Sequence, residues 1–250
     1  MARRLPSRLL IASARRAWLA GFVIAAASGA QADVVTDIIG AEYADPTTRY
    51  AHGVLGDDIE HGTLVIYTDR TEGLSFRIVL PETRVFEDVA PRLADVDGDG
   101  DAEVVVVESE ASTGAQLAIY DDTGKIAATP HIGTRNRWLA PIGVADLDGD
   151  GHMEIAYIDR PHLAKTLRVW RFKDGVLTEI AQLPGLTNHR IGERDIGGGI
   201  RICNGTPEMI TASANWRRVM ATTFQNGQLQ TRAIGTDTSR AGLNAALACQ

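Results

Sequence analysis

Short apolar runs follow one another along the chain, several of them alternating with polar positions, and Gly, Asp or Asn separates them. The short segment 92–96, the β-branched run 103–107, the alternating stretch 116–120 and the segment 125–131 read as strands, with Asp121-Asp122-Thr123-Gly124 as the turn before the last. The series recurs at 142–145, 154–158, 166–172 and 176–183 around Lys173-Asp174-Gly175, and again at 209–212, 219–224 and 228–234 around Gln225-Asn226-Gly227. Asp-Gly and Asn-Gly between apolar runs are strong hairpin signals, because both residues tolerate the positive φ of a tight turn. Past the N-terminal region no segment shows a sustained helical period.

The series is a repeat. Asp95-Val96-Asp97-Gly98-Asp99-Gly100-Asp101-Ala102-Glu103 and Asp146-Leu147-Asp148-Gly149-Asp150-Gly151-His152-Met153-Glu154 match closely, 51 residues apart, and each precedes a strand. A worn copy at 199–210 keeps Glu208 but has lost the Asp ladder, and a fainter one starts at 53–58. Four short antiparallel strands about every 50 residues is the pattern of a propeller blade. The expected fold is therefore all-β: a small β-propeller of four four-stranded antiparallel blades, with units at 48–84, 85–134, 135–187 and 188–250. A fifth blade requires further strand from 33–45 and the C-terminus.

Charge and composition add a compartment. Apolar residues make up 44% and charged residues 23%, the balance of a folded chain, not a disordered one. Residues 1–32 hold five Arg and no acid, then an apolar stretch at 19–27, then Ala30-Gln31-Ala32. That order is a cleaved secretory signal peptide, too short in its apolar part to span a bilayer; an uncleaved anchor helix is the alternative. Arg15-Arg16-Ala17-Trp18-Leu19 loosely resembles a twin-arginine signal, and Sec export fits equally. The mature domain is then 33–250, periplasmic or extracellular, with no membrane span. The chain's formal charge of -7 becomes -12 without those five Arg, which disfavours nucleic acid as a partner. Two Cys exclude a disulfide-dense scaffold and a Cys-rich zinc module. In an oxidising compartment Cys203 and Cys249 are expected to pair, closing the ring; two buried free thiols are the alternative.

In the acidic loops, Asp at positions 1, 3 and 5 sets three hard carboxylates inside a tight turn, Gly at 6 allows the turn, and Glu at 9 closes it. Such a cluster repels itself unless a hard cation neutralises it, and Ca2+ suits its flexible oxygen geometry better than Mg2+. An EF-hand would need Glu at position 12, where Val106 and Tyr157 stand. A solvated acidic turn is the plain alternative. The pattern D-x-D-G-D-G-x-x-E before a strand resembles the FG-GAP/VCBS repeat, the calcium-loop blade also found in integrin α-chain propellers. The resemblance implies Asp95, Asp97, Asp99 and Glu103 as ligands with the carbonyl of Asp101, and Asp146, Asp148, Asp150 and Glu154 with the carbonyl of His152. The family's Phe-Gly and Gly-Ala-Pro marks are absent.

No enzyme motif stands out. The six His form no H-E-x-x-H or zinc spacing, and no G-x-S-x-G or helix-opening G-x-G-x-x-G occurs. Gly197-Gly198-Gly199 reads as a bend, and Trp138, Trp170 and Trp216 read as core. Turns in a four-stranded blade alternate ends, so the face opposite the acidic loops collects the remaining connections. Those at 49–52, 134–138 and 187–190, with turns at 69–70, 159–162 and 215–218, are rich in Arg, Asn, His and aromatics. Arg135, Asn136, Arg137, Arg160, His162, Asn188, His189 and Arg190 are the ligand-face candidates, polar packing between blades being the alternative. Together these readings predict an exported, calcium-stabilised propeller binding a protein, peptide or glycan. The rival is an exported hydrolase or lyase using His52, His162 or His189 as acid–base.

Overall fold

The computed structural model describes Met1 and residues 37–69 and 74–250. The expected signal segment lies outside the described residues, as does Arg70. The first unit holds β1 (Ile38–Thr47), β2 (Glu60–Thr68) and β3 (Ser75–Val79). The second holds β4 (Arg84–Phe86), β5 (Arg92–Ala94), β6 (Glu103–Glu110), β7 (Gly114–Tyr120) and β8 (Lys125–Ala128). The third holds β9 (Leu139–Ala145), β10 (Glu154–Asp159), β11 (Thr166–Lys173) and β12 (Val176–Pro184). The fourth holds β13 (Leu186–Thr187), β14 (Gly199–Ile202), β15 (Pro207–Ser213), β16 (Val219–Gln225) and β17 (Gln228–Gly235). One helix follows, α1 (Arg240–Leu247).

All ladders between these strands are antiparallel. They form three sheets: an eight-stranded one joining the first two units through β4, a four-stranded one, and a five-stranded one. The first strand is continuous in the third unit, as β9, but split in the second and fourth. Residues 87–91 separate β4 from β5, and 188–198 separate β13 from β14, while each pair still lies along one partner, β6 or β15.

Strand periodicity builds the core. Successive side chains of a strand point to opposite faces. Val104 and Val106 of β6 enter a core with Leu64, Ile66 and Phe86, while Val105 and Val107 enter another with Trp138, Ile155 and Tyr157. In β10, Ile155 and Tyr157 face the second unit, and Ala156 and Ile158 face Met209 and Phe224 of the fourth. Central strands are thus buried on both faces and read as unbroken apolar runs, whereas β17 at a sheet edge is largely exposed.

Three expectations change. The helix was not foreseen: only Leu243 and Ala246 of α1 are buried, too few to leave a period. It covers the outer face of the fourth unit, against Ile210, Val219 and Ala221. Its leucines press on the Gly197-Gly198-Gly199 run, where a Cβ at Gly197 would sit 2.8 Å from Leu243 and one at Gly198 2.0 Å from the carbonyl oxygen of Ile210. Second, Cys203 and Cys249 are bonded, with Cα atoms 5.8 Å apart, but the bond ties the end of α1 to the strand beneath it. It fastens the helical cap to the fourth unit. Third, the first unit begins at Ile38 and not at residue 48, and it enters the repeat at the second strand. Its β1–β2 connection therefore lies at the end opposite the acidic loops, so 53–58 is no copy of them.

Candidate functional site

The acidic loops join β5 to β6 and β9 to β10, and they fold alike. Asp95 accepts from the amides of Gly98 (2.7 Å) and Gly100 (3.2 Å), and Asp146 from Gly149 (2.7 Å) and Gly151 (3.0 Å). Each strand-opening glutamate reaches back to the loop: Glu103 accepts from the Val96 amide at 2.7 Å and Glu154 from the Leu147 amide at 2.8 Å. Asp99 and Asp150 accept from the amides of Asp101 and His152 in the same manner. Carboxylate oxygens of Asp95, Asp97 and Asp99 lie within 4.8 Å of one another, as do those of Asp146, Asp148 and Glu154.

The charge around the two loops differs. No ion pair reaches the first loop's carboxylates among the described residues, and its hard oxygen donors fit a calcium-sized cation. Burial, followed by the neighbouring aspartates Asp97, Asp99 and Asp95, pushes the Glu103 carboxyl up to about 7 against the Val96 hydrogen bond. In the second loop Arg171 reaches Glu154 (2.6 Å), Asp148 (2.7 Å) and Asp150 (2.8 Å). Burial still raises Glu154, but Arg171 opposes it. In the fourth unit, where the ladder is lost, Glu208 pairs with Arg201 at 2.7 Å and with Arg232.

At the opposite end the connections converge. A cleft of about 250 Å³ is lined by His52, Asn136, Arg137, Trp138, Arg160, Pro161, His162, Leu163 and Ile191. His52 comes from the β1–β2 connection, 136–138 from the β8–β9 connection, and 160–163 from the β10–β11 connection. His52 Nδ1 lies 2.5 Å from Glu87 Oε1, and the other Glu87 oxygen accepts from Ser109. Glu87 has no exposed side-chain surface, and burial raises its carboxyl despite both partners. The backbone oxygen of Glu87 accepts from Trp138 Nε1 at 2.8 Å, which anchors the indole.

Two further histidines brace that indole. His162 stacks on Trp138 with ring centres 6.3 Å apart, and His189 meets it edge-on at 4.9 Å. His189 Nε2 faces the carbonyl oxygen of Glu193 at 2.8 Å, so it carries a proton there. With neutral rings, His189 Nδ1 then accepts from His162 Nε2 at 2.9 Å. Burial lowers both rings, and together with the nearby His189, His52 and Lys165 it brings His162 down to about 4.

The ligand-face candidates divide. Asn136, Arg137, Arg160 and His162 line the cleft. Arg135 is exposed and does not line it. Asn188 and His189 are buried behind it, Asn188 donating to the carbonyl oxygens of Ala140 and Pro141 at 3.3 and 3.2 Å. Arg190 turns away, with its guanidinium 3.7 Å from the Trp216 ring centre. Asp69, expected on this end, lies at the acidic-loop end: its amide donates to Asp37, whose carboxylate accepts from Ala102 beside the first loop. The residue sequence reasoning missed is Glu87. Its signal was a carboxylate pair, Glu87-Asp88, straight after the apolar end of β4.

Two cleft residues have unmet polar capacity. Arg160 is held by Asp159 through two contacts of 2.8 and 2.9 Å. Arg137 has no carboxylate partner among the described residues; it donates to the carbonyl oxygen of Asn136 at 3.0 Å. The side-chain oxygen of Asn136 is buried and accepts no hydrogen bond.

Residues 60–157, from β2 into β10 with both acidic loops, match the family model of the FG-GAP-like repeat. No curated protein matches the chain significantly. Among solved structures, the exotype rhamnogalacturonan lyase YesX is similar at a TM-score of 0.46 and 15% identity, over 77% of this chain and 44% of that one. The chain thus spans less than half the length of that protein. Among the described residues no helix is long and apolar enough to cross a membrane.

Proposed function

We propose that this chain is an exported β-propeller-type module, steadied by calcium at its acidic-loop end, that binds a carboxylate-bearing ligand in the cleft at the other end. The observation that carries the ligand chemistry is Arg137, a guanidinium in the cleft lining without a carboxylate partner among the described residues. A ligand carboxylate satisfies it, as an acidic sugar or an acidic peptide segment supplies one. Pro161, Leu163 and Ile191 give its apolar surface somewhere to lie. The disulfide and the N-terminal pattern support an oxidising compartment. Calorimetric titration with short uronic-acid oligosaccharides and with Asp- and Glu-containing peptides tests this. Binding that Arg137→Ala weakens supports the reading; no binding by either ligand class rejects it.

One observation favours a second reading. His52 hydrogen-bonded to a buried carboxylate is the arrangement of a positioned acid–base, with Glu87 holding the ring and His52 facing the cleft. A hydrolase or lyase would then act on the same acidic glycan. New reducing ends on incubation, lost in His52→Ala, would favour it over binding alone.

A further inference from the structure

The repeats allow a comparison of one position within one chain. Across β10 and β11 the residue opposite Glu154 is Arg171. In the second unit the ladder ends with Val104 opposite Tyr120, and the next position is Asp121. Asp121 turns its carboxylate to its own hairpin, accepting from the amides of Thr123 (2.7 Å) and Gly124 (2.9 Å). The slot beside the first loop therefore holds an acid engaged elsewhere. The slot beside the second holds a guanidinium that touches three of the loop's four carboxylates. The fourth unit carries the trend further: no Asp ladder remains and two guanidinium groups meet Glu208.

We propose that Arg171 is the resident cation of the second acidic loop, so that the chain takes a calcium ion at the first loop and none at the second. The first half of this rests on the calcium reading above; the role of Arg171 does not. A guanidinium presents several donors in a fixed fork, and here it delivers them to Asp148, Asp150 and Glu154 at once. It supplies the positive charge that would otherwise come from an ion, and it stands among the oxygens an ion would need. One buried oxygen, Oδ1 of Asp148, is left without a partner. That oxygen, with those freed by removing the guanidinium, would rebuild an oxygen-lined seat.

Calcium titration of the full chain, by calorimetry and by equilibrium dialysis, reads the stoichiometry. One equivalent is expected, lost in Asp97→Asn and kept in Asp148→Asn. Arg171→Gln is expected to bind two equivalents, and Arg171→Lys, which keeps the charge, one. Melting in chelator provides a reading free of metal: Arg171→Gln should melt several degrees below the wild type, and calcium should restore most of the loss. If Arg171→Gln folds only with calcium present, the inference is supported. Two equivalents in the wild type, one of them removed by Asp148→Asn, would overturn it. So would an Arg171→Gln chain that melts like the wild type in chelator. Should the wild type bind no calcium, the reading of the first loop fails, and the melts in chelator still decide the role of Arg171.

Discussion

At the acidic-loop end, two connections of one sequence pattern fold with the same hydrogen bonds: 2.7 Å in each from the Asp to the first glycine amide, and 2.7 and 2.8 Å from the glutamate to the loop. At the cleft end no such likeness exists. There the connections run from one residue at 185 to twelve at 48–59, and each contributes different side chains. One end is repeated, short and set by backbone geometry. The other is irregular and gathers His52, Arg137, Arg160 and His162 from positions far apart in sequence. Conformity at one end and divergence at the other is how a repeated scaffold carries a single site on its loops.

The largest effect on this contrast is expected outside both ends. Replacing Cys203 and Cys249 by Ser should cost ~2–4 kcal/mol of stability in a denaturant titration. Hydrogen exchange should show α1 losing protection first, with the cleft unchanged. Calcium comes next. A hundredfold excess over its Kd adds about 2.7 kcal/mol, so the melting temperature should rise with calcium and fall with chelator, and Asp97→Asn should remove the difference. At the cleft end Glu87→Gln weakens the anchor of the half-buried His52 ring and leaves Ser109 a weaker partner, so it should cost ~1–3 kcal/mol in urea without altering the calcium response.

Smaller effects depend on pH. Glu60 is buried, and burial, then Glu87, Asp57 and Asp88, push its carboxyl up to about 9. In the unfolded chain it releases its proton near the ordinary glutamate value. Between those limits the unfolded state binds fewer protons, so this group's contribution to stability falls as pH rises through the window. Glu60→Gln should stabilise the protein at pH ~8 and change little at pH ~4. His162 acts in the other direction. Its folded ring titrates near 4, below the ordinary histidine value. The unfolded state therefore binds more protons between the two, and stability is lost as pH falls through that range. Stability curves of wild type, Glu60→Gln and His162→Gln against pH separate the two flanks.

What the sequence made legible follows the same division. The acidic loops were readable because the carboxylates, glycines and glutamate recur at fixed spacing, and the backbone bonds depend on that spacing. The third and fourth units were readable from their turns at Asp174-Gly175 and Asn226-Gly227, where both Asp174 and Asn226 take positive φ. The first unit was misplaced because turn parity assumes a first strand, and this unit starts at the second. Half of the ligand-face candidates reached the cleft for a related reason: parity assigns a connection to an end but not a side chain to the cleft. Asn188 and His189 share a connection with Ile191, yet burial takes them inward. Arg171 left no signal, since an arginine on a strand becomes a loop's counter-charge only through its cross-strand partner, Glu154.

The central claim is that one end stabilises and the other binds. The direct test is a calorimetric titration of uronic-acid oligosaccharide or acidic peptide into wild type, Arg137→Ala and Asp97→Asn, with melting temperatures taken on the same samples in calcium. Arg137→Ala is expected to lose affinity and keep its melting temperature, while Asp97→Asn keeps its affinity and melts earlier. Arg137→Ala that binds like the wild type, or Asp97→Asn that abolishes binding while still folded, would contradict the account.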